Sequence, residues 1–228
     1  MEWLVLTLIS AFFLGIYDVL KKVALNGNAV FPTLFFVTLT GTLFFTPFIV
    51  ISKFYPEALH GKLLYIPSIT WHEHFLIFMK SILVTLSWSL SYLALRNLPI
   101  TIVSPIRATS PLWTLFGAIL IFGERLNGLQ WIGIIITLGF FYLFTFAGKK
   151  EGIHFKSNVW IWCIIGGTLS GAASSLYDKY LLTFMDKMAL QAWFTFYQVF
   201  LLIPMVLFYW KPTFLSIFIP YIFPQSKQ

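Results

Sequence analysis

Long apolar segments recur along almost the whole chain, and their length constrains the fold more than any other feature. A helix needs about 20 mainly apolar residues to cross a bilayer, where every backbone N–H and C=O must be satisfied within the segment. Segments that meet this requirement lie at approximately 3–21, 30–51, 75–95, 100–122, 130–147, 159–182 and 189–210. We therefore predict an all-α, polytopic bundle of about seven transmembrane helices.

The composition agrees with lipid as the main solvent. Of the 228 residues, 59% are hydrophobic and 10% are charged, whereas soluble domains carry about 25% charged residues. The net charge is +7, but the basic residues lie mostly between the apolar segments, where membrane proteins keep them. We therefore interpret the charge as a sign of topology and expect no nucleic-acid partner.

The sequence offers no recognisable site for catalysis, a metal or a cofactor. His72 and His74 lack a third nearby ligand, so they fit the start of a helix at the interface better than a metal site. Cys163 is the single cysteine and lies in an apolar run. The sequence contains no glycine-rich phosphate loop, nucleophile elbow or catalytic carboxylate pair in a polar context. We expect a protein that is not an enzyme and that carries no cofactor or metal.

A short motif recurs about 160 residues apart. A shift of the sequence by 160 positions aligns identical residues: Ser10 with Ser170, Tyr17 with Tyr177, and Asp18 with Asp178. Five predicted spans precede the second copy, and an odd number reverses its orientation in the membrane. Inverted-topology repeats are typical of secondary transporters, although chance similarity between two apolar helices is the alternative. We predict a first repeat at 1–148, a basic linker at 149–158 and an incomplete second repeat at 159–228.

Two stretches carry a family resemblance. "LGIYDVLKKVAL" and the run from "SYLALRNLPI" through "FGERLNGLQWIGIIITLG" resemble the EamA repeat of the drug/metabolite transporter superfamily. The resemblance covers one complete repeat, at about 3–147, and the first two helices of a second. Members of that family have ten helices in two five-helix repeats and export or exchange small metabolites. Against that pattern, the chain is expected to be truncated after about seven helices.

The resemblance implies a transporter that moves a small organic metabolite or drug by alternating access in the cell (plasma or inner) membrane. Its partners would be the lipid bilayer and the solute. The alternative is a truncated, non-transporting membrane protein, or a subunit that completes its pathway with a second membrane chain or as a homodimer.

Arg107 is the strongest single candidate for solute binding. It lies about eight residues inside the fourth predicted span, and a charge at such depth costs at least about 2.5 kcal/mol unless it faces a polar interior. Pro105 and Pro111 bracket it, and each proline removes a backbone hydrogen bond. We therefore predict a bent helix beside Arg107. The alternative is that Arg107 only pairs with a carboxylate.

Other polar and aromatic residues could line a solute pocket. Four of them share one face of the third predicted span at helical spacing, and such a face would also suit helix packing. By predicted span, the candidates are Thr38; Ser87, Trp88, Ser91 and Tyr92; Ser110 and Trp113; and Tyr197 and Gln198.

The other charged residues are assigned to the membrane interface. Lys80 is close enough to a helix end to extend its ammonium to the headgroups. Asp18 and Asp178 lie near predicted helix ends, so we expect them outside the central site. The orientation stays open, because basic residues favour an outside N-terminus by 8 to 5, whereas the family resemblance implies an inside N-terminus.

Overall fold

The structure, a computed structural model, describes residues 2–150 and 158–209. Within these ranges the chain is helical and contains no strand. The helices are α1 (Glu2–Ala24), α2 (Val30–Phe54), α3 (Pro56–Leu59), α4 (Trp71–Asn97), α5 (Ile100–Ala108), α6 (Ser110–Phe122), α7 (Gly128–Lys150), α8 (Val159–Leu181) and α9 (Lys187–Tyr209).

Helices occupy all seven segments that the sequence predicts to span the membrane. Among the described residues, five segments are long and apolar enough to cross: α2, α4, α5 together with α6, α8 and α9. α7 provides the shorter apolar stretch Gly128–Phe140. α1 carries Asp18, Lys21 and Lys22 in its C-terminal third, which lowers its hydropathy. The predicted fold class, an all-α polytopic bundle, is confirmed.

Side-chain caps determine where two of the helices begin. At the start of α4, the Thr70 N–H donates to Glu73 Oε2 at 2.6 Å, and the Glu73 N–H donates to Thr70 Oγ1 at 3.3 Å. This reciprocal exchange is a capping box. Asn127 and Gln130 make the same exchange at the start of α7, at 2.8 and 2.9 Å. The caps satisfy backbone donors that have no partner within the helix.

The fourth predicted span is interrupted at Thr109, which ends α5 and precedes α6. Pro105 lies inside α5, and Pro111 lies in the first turn of α6. Pro111 has no N–H to donate to the carbonyl four residues earlier, which is that of Arg107. The helix is therefore interrupted two residues after Arg107, while the predicted bend stays a prediction.

The described residues form two compact units. The first takes Met1–Val30 with Leu86–Leu176, and the second takes Phe31–Thr85 with Tyr177–Gln228. Each predicted repeat contributes to both units, so the division into repeats at 148 stays a prediction from the sequence. Most of the predicted linker 149–158 and the tail 210–228 lie outside the described residues.

In the first unit, small residues bring α4 and α8 into close contact. Gly167 and Gly171 are four residues apart on α8 and lie against Ser87 and Ser91 of α4. Ser87 Oγ donates to the Gly167 carbonyl at 2.7 Å in a buried position. Such small-xxx-small pairs let helix backbones approach closely in membranes.

In the second unit, an apolar cluster joins α9 to the segment before α4. Ile66, Ala189 and Ala192 are buried together, with Phe45 and Phe48 of α2 packed against them. The Ile66 N–H donates to Ser52 Oγ at 3.0 Å, which fixes this segment to the end of α2.

Candidate functional site

An ion-pair cluster lies in the first unit where α1 meets α5. Asp18 Oδ1 is 2.6 Å from Lys21 Nζ and accepts a hydrogen bond from Arg107 Nη1 at 2.7 Å. Lys21 is buried, and its ammonium lies 4.2 Å from the centre of the Tyr17 ring. One carboxylate therefore neutralises two cations only in part, and the cluster keeps a formal charge of +1.

Arg107 is held by Asp18 but is not enclosed. Its side chain is 32% exposed, and a guanidinium has five N–H donors. The pairing with a carboxylate, which the sequence left as an alternative, is present. Among the described residues, Asp18 accepts from one of these donors, and the partly exposed guanidinium can reach a further acceptor.

A second ion pair lies in the second unit. Lys80 Nζ is 2.6 Å from Asp178 Oδ1, and it also lies 4.5 Å from the centre of the Phe194 ring. Lys80 is nine residues into α4, or about 13 Å along the helix axis. The prediction that Lys80 reaches to the headgroups is wrong, because its ammonium is buried against α8 and α9.

Both copies of the repeated Tyr-Asp motif thus hold a cation from a different helix. Asp18 binds Arg107, 89 residues away, and Asp178 binds Lys80, 98 residues away. The sequence carried a signal for this pairing: two cations at membrane depth need counter-charges, and a carboxylate recurs once in each motif. Asp18 and Asp178 lie near the C-terminal ends of α1 and α8, as predicted, and the ion pairs give both of them a partner that the sequence analysis did not assign.

The polar face of α4 is used for packing at Ser87 and Ser91, which contact Gly167. Its neighbour Tyr92 is buried, and its ring lies 5.7 Å from the Lys21 ammonium. Trp88 is partly buried. The structure therefore brings Tyr92 and Arg107 to the same charged cluster, while Ser87 serves a helix contact.

The candidates on α6 and α2 bond mainly within their own helices. Trp113 Nε1 donates to Thr109 Oγ1 at 3.2 Å, and about half of its side chain is exposed. Ser110 begins α6 and is partly buried. Thr38 is buried and donates to the carbonyl of Phe35 at 2.9 Å.

Gln198 and Tyr197 lie on α9 in the second unit. Gln198 is fully buried, and its side-chain amide has no hydrogen-bond partner among the residues that the structure describes. Gln198 follows Phe194 by one helical turn, so the two side chains share one face of α9. The Lys80 ammonium lies over the Phe194 ring on the same face. The Tyr197 hydroxyl hydrogen-bonds His74 Nδ1 at 2.9 Å, and His74 also contacts Trp193 edge to face. His74 thus belongs to an aromatic cluster.

Within the described ranges, no group of three or more His, Cys, Asp or Glu side chains is arranged to hold a metal ion. Cys163 is free and partly buried. The ammonium, guanidinium and carboxylate groups of the two charged clusters interact by charge and hydrogen bonding.

Comparison with known families identifies the chain. A family model described as the EamA-like transporter family matches residues 1–146, which is more than half of the chain. The match covers the five predicted spans of the first repeat. No curated protein and no solved structure matches. The chain is a multi-pass membrane protein that belongs to the EamA-like transporter family of the drug/metabolite transporter superfamily.

Proposed function

We propose that the protein moves a small organic metabolite or drug across the cell membrane by alternating access. Family membership supports transport in general. The predicted inverted repeat of the Tyr-Asp motif supports this mechanism in particular, because such repeats exchange between outward-open and inward-open arrangements. No covalent chemistry is needed, since a solute that binds both arrangements is carried by their interconversion.

One observation carries the proposal above the others: each repeated aspartate pairs with a cation that lies inside an apolar segment long enough to cross a membrane. Ionisable groups in this position are expensive, and where they occur they mark solute or ion pathways. Arg107 is the main proposed solute-binding residue, because its guanidinium is partly exposed and has five N–H donors. In the first unit the proposal extends to Tyr92, Trp88, Ser91, Ser87, Ser110 and Trp113; in the second unit it extends to Gln198, Tyr197 and Thr38.

The charge of the Arg107 cluster favours a solute with an anionic group. Two cations share one carboxylate, and an uncompensated charge away from water is costly. A carboxylate or phosphate of a solute would complete the neutralisation and could accept the remaining guanidinium donors in a bidentate pair.

A thermal-stability screen of the purified protein tests this proposal. Small anionic, zwitterionic, neutral and cationic organic solutes are compared, because a ligand of the native state raises the apparent melting temperature. We expect shifts concentrated among anionic and zwitterionic solutes, and uptake of the same solutes into proteoliposomes.

The matched variants are Arg107→Gln and Arg125→Gln. Arg107→Gln should still fold, because Asp18 keeps its contact with Lys21, but solute affinity should fall at least about tenfold with the loss of a charge-assisted bond. Arg125 is exposed after α6, so its variant should bind as the wild type does. Unchanged affinity in folded Arg107→Gln would refute the site, and the absence of any solute that shifts the wild type or is taken up would refute the function.

A further inference from the structure

A basic cleft opens in the first unit where α1 ends and α4 ends. Its volume is about 420 Å³, and it is lined by Lys22, Val23, Leu25, Asn26, Gly27 and Arg96. Sites for small ligands have volumes of about 300–1,000 Å³. The cleft is therefore large enough for a polar headgroup, and it lies at the ends of helices, where a bilayer presents its headgroups.

The cleft wall carries two cations and no carboxylate. Lys22 Nζ donates to the backbone carbonyl of Leu95 in α4 and, at 2.8 Å, to that of Leu98 just after α4, so both carbonyls are occupied. An ammonium has three donors, and these two bonds use two of them. Arg96 is exposed in the last turn of α4 and adds a guanidinium. The lining is thus complementary to an anion.

An apolar surface continues from the cleft along α1. Val23, which lines the cleft, is 65% exposed, and Leu20 and Val19 precede it with 59% and 54% exposed. In a chain that crosses the bilayer, such residues face acyl chains. A ligand that combines an anionic head with apolar chains fits this surface better than a free anion, which would use the cleft alone.

We propose that this cleft binds the phosphate headgroup of an anionic phospholipid, with Arg96 and Lys22 contacting the phosphate and the acyl chains lying along α1. Basic pockets between transmembrane helices bind anionic headgroups in this manner. The lipid site is separate from the Arg107 cluster and does not depend on transport or on the identity of the solute.

The test uses the purified full-length chain, delipidated in a neutral detergent. Dioleoyl phosphatidylglycerol, dioleoyl phosphatidylcholine and inorganic phosphate are added separately, and the melting temperature and the bound lipid seen by native mass spectrometry are recorded. We expect phosphatidylglycerol to raise the melting temperature by several degrees more than phosphatidylcholine does, and to remain bound in the mass spectrum.

Arg96→Gln and Arg125→Gln are the matched variants, since both remove one exposed arginine. Arg96→Gln should weaken phosphatidylglycerol binding about fivefold, the effect of one basic residue near an anionic lipid surface. Arg125→Gln should not. Equal binding of the two lipids, equal loss in the two variants, or equal stabilisation by inorganic phosphate alone would each overturn the proposal.

Discussion

The ion pair between Lys80 and Asp178 is buried unequally on its two sides. The Lys80 side chain is 5% exposed and the Asp178 side chain is 34% exposed. Asp178→Asn should therefore lower the free energy of unfolding by about 3–5 kcal/mol, because it leaves a buried ammonium without its counter-charge. Lys80→Met should cost less than half of that, because the remaining carboxylate is partly exposed. Denaturation of the purified variants in micelles measures both values.

The double variant Lys80→Met/Asp178→Asn is the decisive control for this pair. Removing both charges should restore most of the stability lost in Asp178→Asn, since no uncompensated charge remains. Lys187→Met, which removes an exposed lysine at the start of α9, should change little. A double variant as unstable as Asp178→Asn alone would mean that the pair is not what stabilises Lys80.

The sequence indicates that cations inside apolar spans need carboxylate partners, but it does not indicate which carboxylate meets which cation. Depth in an apolar span identified Arg107 as a site candidate, whereas Asp18 and Asp178 were recognised only as repeated residues and were expected outside the central site. The pairing of each cation with its carboxylate depends on how their helices pack together, and the paired residues are 89 and 98 positions apart along the chain. Apolar periodicity carries no information on that packing, because in a membrane both the lipid-facing and the protein-facing sides of a helix are apolar.

The contact between α4 and α8 gives a prediction about helix packing. A Cβ on Gly167 would lie 2.6 Å from Ser91 Oγ and 3.0 Å from the Ser87 carbonyl oxygen. Gly167→Ala should therefore force the two helices apart, with a packing cost of about 1–3 kcal/mol. The loss would show as a lower free energy of unfolding.

Gly133→Ala on α7 is the matched control, because a Cβ there would meet nothing within 4 Å. Alanine at that position should stabilise by up to about 1 kcal/mol through its higher helix propensity. The two substitutions are chemically identical, so their difference isolates the contact with α4. Equal effects of the two variants would contradict the close helix approach.

Helix ends and interruptions are predictable where a local rule determines them. Thr70 and Glu73 begin α4 through a pattern within four residues, and Pro111 interrupts the fourth span because it lacks an N–H. No such local rule determines the division into two compact units. The boundary falls inside α4, where Thr85 belongs to one unit and Leu86 to the other. No sequence pattern marks such a boundary, because it lies inside a continuous helix.

The membrane topology of the chain tests whether the second predicted repeat is inverted relative to the first. Asn28 follows α1, Lys62 precedes α4 and Thr183 follows α8, and all three are exposed. With seven crossings, five helical spans separate Asn28 from Thr183, so these positions lie on opposite sides, and Thr183 lies on the same side as Lys62. If α7, with its shorter apolar stretch Gly128–Phe140, does not cross, Thr183 instead shares a side with Asn28.

Single cysteines distinguish these topologies. In a Cys163→Ser background, Asn28→Cys, Lys62→Cys and Thr183→Cys are labelled with an impermeant maleimide on intact cells and on inverted vesicles. We expect Lys62→Cys and Thr183→Cys to react from one side and Asn28→Cys from the other, as inverted repeats require. Reaction of Thr183→Cys together with Asn28→Cys would refute the inversion. The same labels decide the orientation: the 8-to-5 excess of basic residues predicts a cytoplasmic Asn28, whereas the family pattern of an inside N-terminus predicts an external one.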